Sequence, residues 1–309
     1  MRHRLVHPAL ILLVPPCMWA CNAILGRIAA DMIPPMLFNF LRWLVVLIFL
    51  LPLANWIFRS GSGLLTHWRR YAGLGFLSVF CYNSLQYLAL HTSTAINVTL
   101  IAASMPVWML LVGRLFYQTR ISSLNILGAF CSLFGVAIVL SQGDLSRLSG
   151  LRFLPGDIYI VLAAIGWAIY SWQLKFTVKP ERIRHDWAAL LLAQVVYGLI
   201  PSGLFALGEL GLSEQRIQWS LPLLGILIFV AIGPAILAYK TWGEGVQRVG
   251  PTLAGFFANL TPLITALLSS LLLGEYPKPF HVISFFFIAL GIWLSSKTSR
   301  EKAITSIDR

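Results

Sequence analysis

Ala102-Ala103-Ser104-Met105-Pro106-Val107-Trp108 and Ala258-Asn259-Leu260-Thr261-Pro262-Leu263-Ile264 lie over each other at a constant offset of 156 residues. The register continues outward through Leu111 with Leu267, Leu115 with Leu271, Phe130 with Phe286 and Gly135 with Gly291, across two successive apolar segments in each half. A duplicated helical bundle is implied. Prolines that interrupt helices at corresponding places in two copies point to a transporter whose site lies between its repeats, near the bilayer midplane.

The solvent of this chain follows from its composition. Of its 309 residues, 58% are hydrophobic and 11% are charged, and the mean hydropathy is +0.80. Soluble domains carry roughly 25% charged residues. The apolar residues fall into runs of about 20, enough to cross a hydrocarbon core of roughly 30 Å at 1.5 Å per residue. Helices are expected, because an unpaired amide in lipid costs several kcal/mol and barrel strands would alternate every second residue instead. Spans are expected at 9–29, 36–57, 71–90, 95–116, 124–140, 158–174, 188–207, 224–246, 252–273 and 280–295. The chain therefore reads as an all-α integral membrane protein with ten transmembrane helices. The Gly- and Pro-bearing segment 141–156 is the expected joint, dividing it into five-helix repeats over 1–145 and 146–309.

The net charge of +12 is scattered over loops and not gathered into a nucleic-acid-binding patch. With a cytoplasmic N-terminus, only Arg27, Arg147, Arg152, Arg216 and Lys278 fall on the far side, and only Arg42 and Lys240 lie inside spans. The other basic residues then face the cytoplasm, the positive-inside pattern of an inner (cytoplasmic) membrane protein with both termini inside. Because each repeat has an odd number of helices, the second enters the membrane upside down relative to the first. Arg2 and Arg4 ahead of the first apolar run are expected to flank a retained anchor and not a cleaved signal.

Tyr82 through Ala95, then Met105-Pro106, Gly128 and Gly135, resemble the EamA-type repeat of the drug/metabolite transporter superfamily. The second half repeats the pattern through Tyr239, Trp242, Gly243, Gly250-Pro251, Thr261-Pro262, Gly274-Glu275 and Gly291. The opening helices, with Trp19-Ala20 and Asn22, and with Gly166-Trp167-Ala168, are similar too. Thr119 stands where the first copy would carry the counterpart of Glu275. The resemblance implies two inverted five-helix repeats, alternating access through a central cavity, and usually export of amino acids, related metabolites or toxic compounds.

The expected substrate-binding residues are Trp19, Asn22, Tyr82, Asn83, Gln86, Trp108, Trp167, Tyr170, Lys240 and Asn259. Lys240 lies about 9 Å from the end of its span at helical rise; it either snorkels to the interface or faces the cavity as a partner for a substrate carboxylate. Tyr82, Asn83 and Gln86 can share a helix face, as a polar lining or as interhelical hydrogen bonds worth about 1 kcal/mol. Asn22 and Asn259 carry the same pair of readings. Trp19 and Trp167 occupy matching places and either pack helices together or flank a flat or cationic solute. Trp108 and Tyr170 are weaker candidates. Pro106, Pro234 and Pro262 break helices, as kinks or as gates that free backbone carbonyls. Trp43, Trp56, Trp68, Trp187, Trp219 and Trp293 near span ends are expected to anchor in the headgroups.

Other classes lack their chemistry. Acids fall at span ends or in loops, so no deep proton-carrying carboxylate is visible, and His91 at a helix end reads more readily as a solvated loop histidine than as a group that couples transport by titrating near neutrality. Cys17, Cys21, Cys81 and Cys131 read as packing residues, and no metal or cofactor is expected. A membrane-embedded enzyme acting on lipid or peptide is the rival reading, but it requires paired intramembrane acids or metal-binding His at helical spacing. A sensory subunit would carry an interaction tail. The expected partners are a small-molecule substrate and the lipid bilayer, with no nucleic acid, and a monomer suffices.

Overall fold

The computed structural model describes residues 9–176, 180–212, 217–272 and 276–307, and among these every regular element is helical. Arg2, Arg4, Lys179, Glu214, Arg216, Gly274 and Glu275 lie outside the described residues, as does the side chain of His91. The membrane helices are α1 (Leu10–Ala29), α2 (Pro35–Phe58), α3 (68–92), α4 (Ala95–Ala102 and Met105–Tyr117), α5 (Ser123–Leu140), α6 (Pro155–Phe176), α7 (Trp187–Leu212), α8 (Leu221–Val249), α9 (Pro251–Leu272) and α10 (Pro279–Ile307). Among the described residues, nine are long and apolar enough to cross a membrane. The tenth, α3, is as long, but Tyr82, Asn83, Ser84 and Gln86 make it more polar. Large apolar side chains cover the outside, Leu115 at 72% exposure, Phe130 at 68% and Ile48 at 60% among them. Lipid solvates such a surface, and water would not.

The helix ends are written in the sequence. Thr94, Ser122 and Ser220 accept hydrogen bonds from the backbone N–H groups of Asn97, Asn125 and Leu223, satisfying orphan donors that lipid cannot. Asp186 caps α7 through the N–H groups of Ala188 and Ala189. Glu209 reaches from the end of α7 to the Leu37 N–H at the start of α2, at 2.9 Å. Gly250, at φ +91°, ends α8 and lets α9 begin at the next residue, a turn an L side chain would strain.

Helices pair as a two-fold exchange of halves requires. The pairs α2 with α7, α5 with α10 and α4 with α9 are self-symmetric under a shift of five helices. The contact of α3 with α6 is answered by α8 with α1, and that of α4 with α6 by α9 with α1. The α5–α10 seam shows the exchange atom by atom. Gly128 packs against the backbone of Gly291, and their images at the 156 offset, Ser284 and Gly135, also meet, with Ser284 Oγ donating to Gly135 O at 2.7 Å. Small residues let two backbones approach where no hydrophobic force drives helices together.

The prolines of the repeat mark real interruptions. Helix α4 breaks at Ala103-Ser104 and α9 at Asn259, with Pro106 and Pro262 in the first turns of the resumed segments. The two breaks meet, because Asn259 Nδ2 donates to Ala103 O at 3.0 Å and to Ser132 Oγ at 2.9 Å. Asn259 is thus fully buried as a bridge between repeats. Replacing Asn259 with Leu is expected to lower stability by about 1–2 kcal/mol, because the freed Ala103 carbonyl has no water to turn to. An unchanged unfolding temperature in detergent would show the bridge to be incidental.

Candidate functional site

Two π-helical segments define the middle of the bundle. In α3 the backbone widens over Phe76–Cys81, and in α8 over Ala231–Leu237, so the 156-residue shift carries the first onto the second. Such segments are rare and gather at functional sites, because the extra residue frees carbonyls from the helix ladder. Pro234 lies buried in the second one. In the first, Ser78 O accepts from Tyr239 Oη at 2.8 Å and from Asn83 Nδ2 at 3.3 Å, while Val79 O accepts from Asn39 Nδ2 at 3.4 Å. Ser78 Oγ donates to Leu74 O at 2.7 Å and contacts Gln194 Oε1 at 3.3 Å. The opened turn is held by side chains from α2, α7 and α8.

Around it stands a cluster of aromatic rings. Trp167 of α6 is its hub, with centroids 5.5 Å from Trp19, 5.1 Å from Tyr82, 5.0 Å from Tyr170, 5.5 Å from Tyr239 and 5.6 Å from Trp242. Trp19 also meets Trp242 at 5.4 Å, so α1, α3, α6 and α8 converge there. Tilted and edge-to-face pairs of this kind add about 0.5–1.5 kcal/mol each beyond area burial.

Behind Tyr239 lies a charge. Trp43 packs edge-on to Tyr239 at 5.0 Å, and the Arg42 guanidinium sits 5.2 Å from the Trp43 ring centroid. Arg42 is 3% exposed. Its Nη1 donates to Asn22 Oδ1 at 3.3 Å and its Nη2 to Asn39 Oδ1 at 2.8 Å, whereas its Nε is buried without a partner. These partners are neutral amides. The expectation that Trp43 anchors at the interface is corrected here. Trp43 is wholly buried in α2, where its ring packs on Tyr239 of α8 within the bundle.

On the other side of Tyr239 is a pocket of about 80 Å³ between α6, α7 and α8. Tyr170, Tyr239 and Gln194 form its inner wall, and Trp187, Arg184 and Lys240 stand toward its mouth. Lys240 Nζ lies 4.7 Å from the Trp187 ring centroid, a cation–π contact. Glu244 also lines this pocket but is held by Arg248 at 3.1 Å. Arg184 Nη2 reaches Lys175 O at 3.5 Å, and its Nε is buried without a partner. The mouth opens where α6 ends, α7 begins and α8 ends.

Most of the expected residues converge on this centre. Trp19, Tyr82, Trp167 and Tyr170 are in the ring cluster, Asn22 bonds Arg42, Asn83 bonds the π carbonyls, and Lys240 lines the pocket. Gln86 is half-buried one turn beyond Tyr82. Trp108 stands apart, donating to Ser104 Oγ at 2.9 Å and so bracing the α4 break, while Asn259 bridges the breaks. Arg42, Asn39, Trp43, Gln194, Tyr239 and Trp242 were not expected at the site. For Arg42 a signal existed: an arginine near the middle of an apolar span, three residues after Asn39 and so on the same face. Among the described residues no group of His, Cys, Asp and Glu has the makings of a metal site.

The sequence model described as the EamA-like transporter family matches this chain twice, over residues 8–141 and 154–297. The chain is 26% identical over 231 residues to a Bacillus subtilis protein named as the uncharacterized transporter YyaM, covering 74% of this chain and 73% of that one. It is 23% identical over 289 residues to an uncharacterized transporter of Archaeoglobus fulgidus, covering 93% and 96%. A protein of Ancylobacter novellus named as the aromatic amino acid exporter YddG is 22% identical over 203 residues, covering 63% of this chain and 64% of that one. A solved crystal structure superposes with a TM-score of 0.75 at 20% identity, covering 95% of this chain and 98% of that one, which bears on the fold alone.

Proposed function

Because the chain belongs to the EamA-like transporter family, we propose that it is a secondary transporter that carries small polar or amphipathic metabolites, amino acids among them, out of the cell. In this reading residues 1–145 and 146–309 are inverted repeats, and the protein works as a monomer in the inner membrane with both termini in the cytoplasm. The solute crosses by alternating access through the centre where the repeats meet. The observation that carries the reading is the convergence of the two repeat-related π segments on one aromatic and polar centre with a pocket beside it.

With the termini in the cytoplasm, as the positive-inside pattern supports, the pocket mouth would face the cytoplasm, the loading side of an exporter. The exporter from Ancylobacter novellus supports the direction and the amino-acid class. Counterflow in proteoliposomes with a panel of amino acids and nucleosides tests the reading, and no flux of any solute above empty vesicles would overturn it. Replacing Lys240 with Met is expected to lower flux of anionic and zwitterionic solutes at least tenfold, since the pocket then loses the cation seated over Trp187. Unchanged kinetics would reduce Lys240 to a snorkelling residue.

A further inference from the structure

Resting on that transport reading, we propose that the solute is an organic anion with a flat apolar body, its carboxylate drawn to Arg42 and its ring taken among Trp19, Trp167, Tyr239 and Trp242. A guanidinium has five N–H donors, and Arg42 spends two on amide oxygens of Asn22 and Asn39. Its buried Nε has none. An intramembrane charge is retained when something neutralises it, and among the described residues no carboxylate pairs with Arg42. Of the acids on adjoining elements, Asp157 is engaged by Ser93, Asn97 and the Leu154 N–H at the start of α6, Asp186 by Trp56 and the start of α7, and Glu209 by the start of α2. Glu244, in the pocket, is paired with Arg248.

Among the described residues, the charges along the route from pocket to ring cluster that lack an oppositely charged partner are Arg184 and Lys240 outside Tyr239 and Arg42 behind it. A planar oxyanion can accept two parallel N–H bonds from a guanidinium, and one aromatic layer, Tyr239 on Trp43, separates Arg42 from the pocket. An amine meets on this path only the carboxylate of Glu244, already shared with Arg248, and beyond it the ammonium of an amino acid meets ring faces and neutral oxygens.

Equilibrium binding to the full chain in nanodiscs separates the cases with three probes on one phenylethyl skeleton: 3-phenylpropionate (anion), phenylalanine (zwitterion) and phenethylamine (cation). The anion is expected to bind at least tenfold more tightly than the zwitterion and a hundredfold more tightly than the cation. Arg42→Gln is expected to erase that order, and Arg42→Lys to keep part of it. Should Arg42→Gln fail to fold, the order in the unaltered protein and in Arg42→Lys decides. Equal or tighter binding of phenylalanine or phenethylamine, or an order indifferent to Arg42, overturns the inference while leaving transport intact. Absence of binding by all three, with counterflow of some other solute, overturns it too, whereas absence of any flux removes the transport reading itself.

Discussion

Gly291→Leu is expected to abolish recovery of folded protein. A Cβ placed on Gly291 would stand 2.6 Å from Gly128 O and 2.9 Å from Ser132 Cβ, and one on Gly128 would stand 2.9 Å from Gly291 O. Backbone cannot step aside as a flexible side chain can. Overpacking in a well-packed core costs typically 1–3 kcal/mol, and forcing two helices apart along a seam goes beyond that range, because Ser284 also loses its bond to Gly135 O. The measurement is monodispersity after detergent extraction together with the unfolding temperature. Gly26→Leu, with open space around its Cβ position, is the control expected to behave as the unaltered protein. If Gly291→Leu extracts and unfolds like that control, the seam is looser than described.

Trp167→Ala should be the most damaging change at the centre. Its ring touches five other aromatic rings and is 3% exposed. Truncating a buried Trp costs about 3–5 kcal/mol, partly as transfer energy and partly as the cavity left behind. A second effect falls on function, since Tyr239 leans on Trp167 and divides the pocket from Arg42. Flux is therefore expected to fall by at least tenfold in the fraction that remains folded. Trp167→Phe restores part of the ring packing and should recover stability before flux. Loss of stability with flux per folded molecule preserved would make the cluster a structural core only.

Much of this fold can be read from period and length alone. Ten apolar runs separated by Gly, Pro and capping residues leave few alternatives in a solvent that forbids unpaired amides. The offset of 156 predicted where helices break, and Ala103-Ser104 and Asn259 are those breaks. The π segments were not legible, because widening a turn by one residue leaves no mark on apolar periodicity over runs as uniform as Phe76–Cys81. The site was legible only in part. Trp19, Tyr82 and Trp167 stand out as polar-edged rings deep in spans, whereas Trp43 reads as a headgroup anchor by distance from its helix end, and only its packing on Tyr239 of another helix corrects that. Arg42 itself was visible as a mid-span cation but silent about its neighbours, since Asn22 and Tyr239 come from other helices.

The bridge between the two helix breaks is lopsided. Asn259 reaches across to Ala103 O, yet the residue one copy earlier is Ala103 itself, whose methyl cannot return the bond. Were the halves identical, swapping their shapes would yield two conformers related by the two-fold axis and equal in free energy, each populated half of the time. One amide on one side of the dyad removes that degeneracy, so in the proposed alternating-access cycle the inward-facing and outward-facing forms are expected to differ in population even with no solute present.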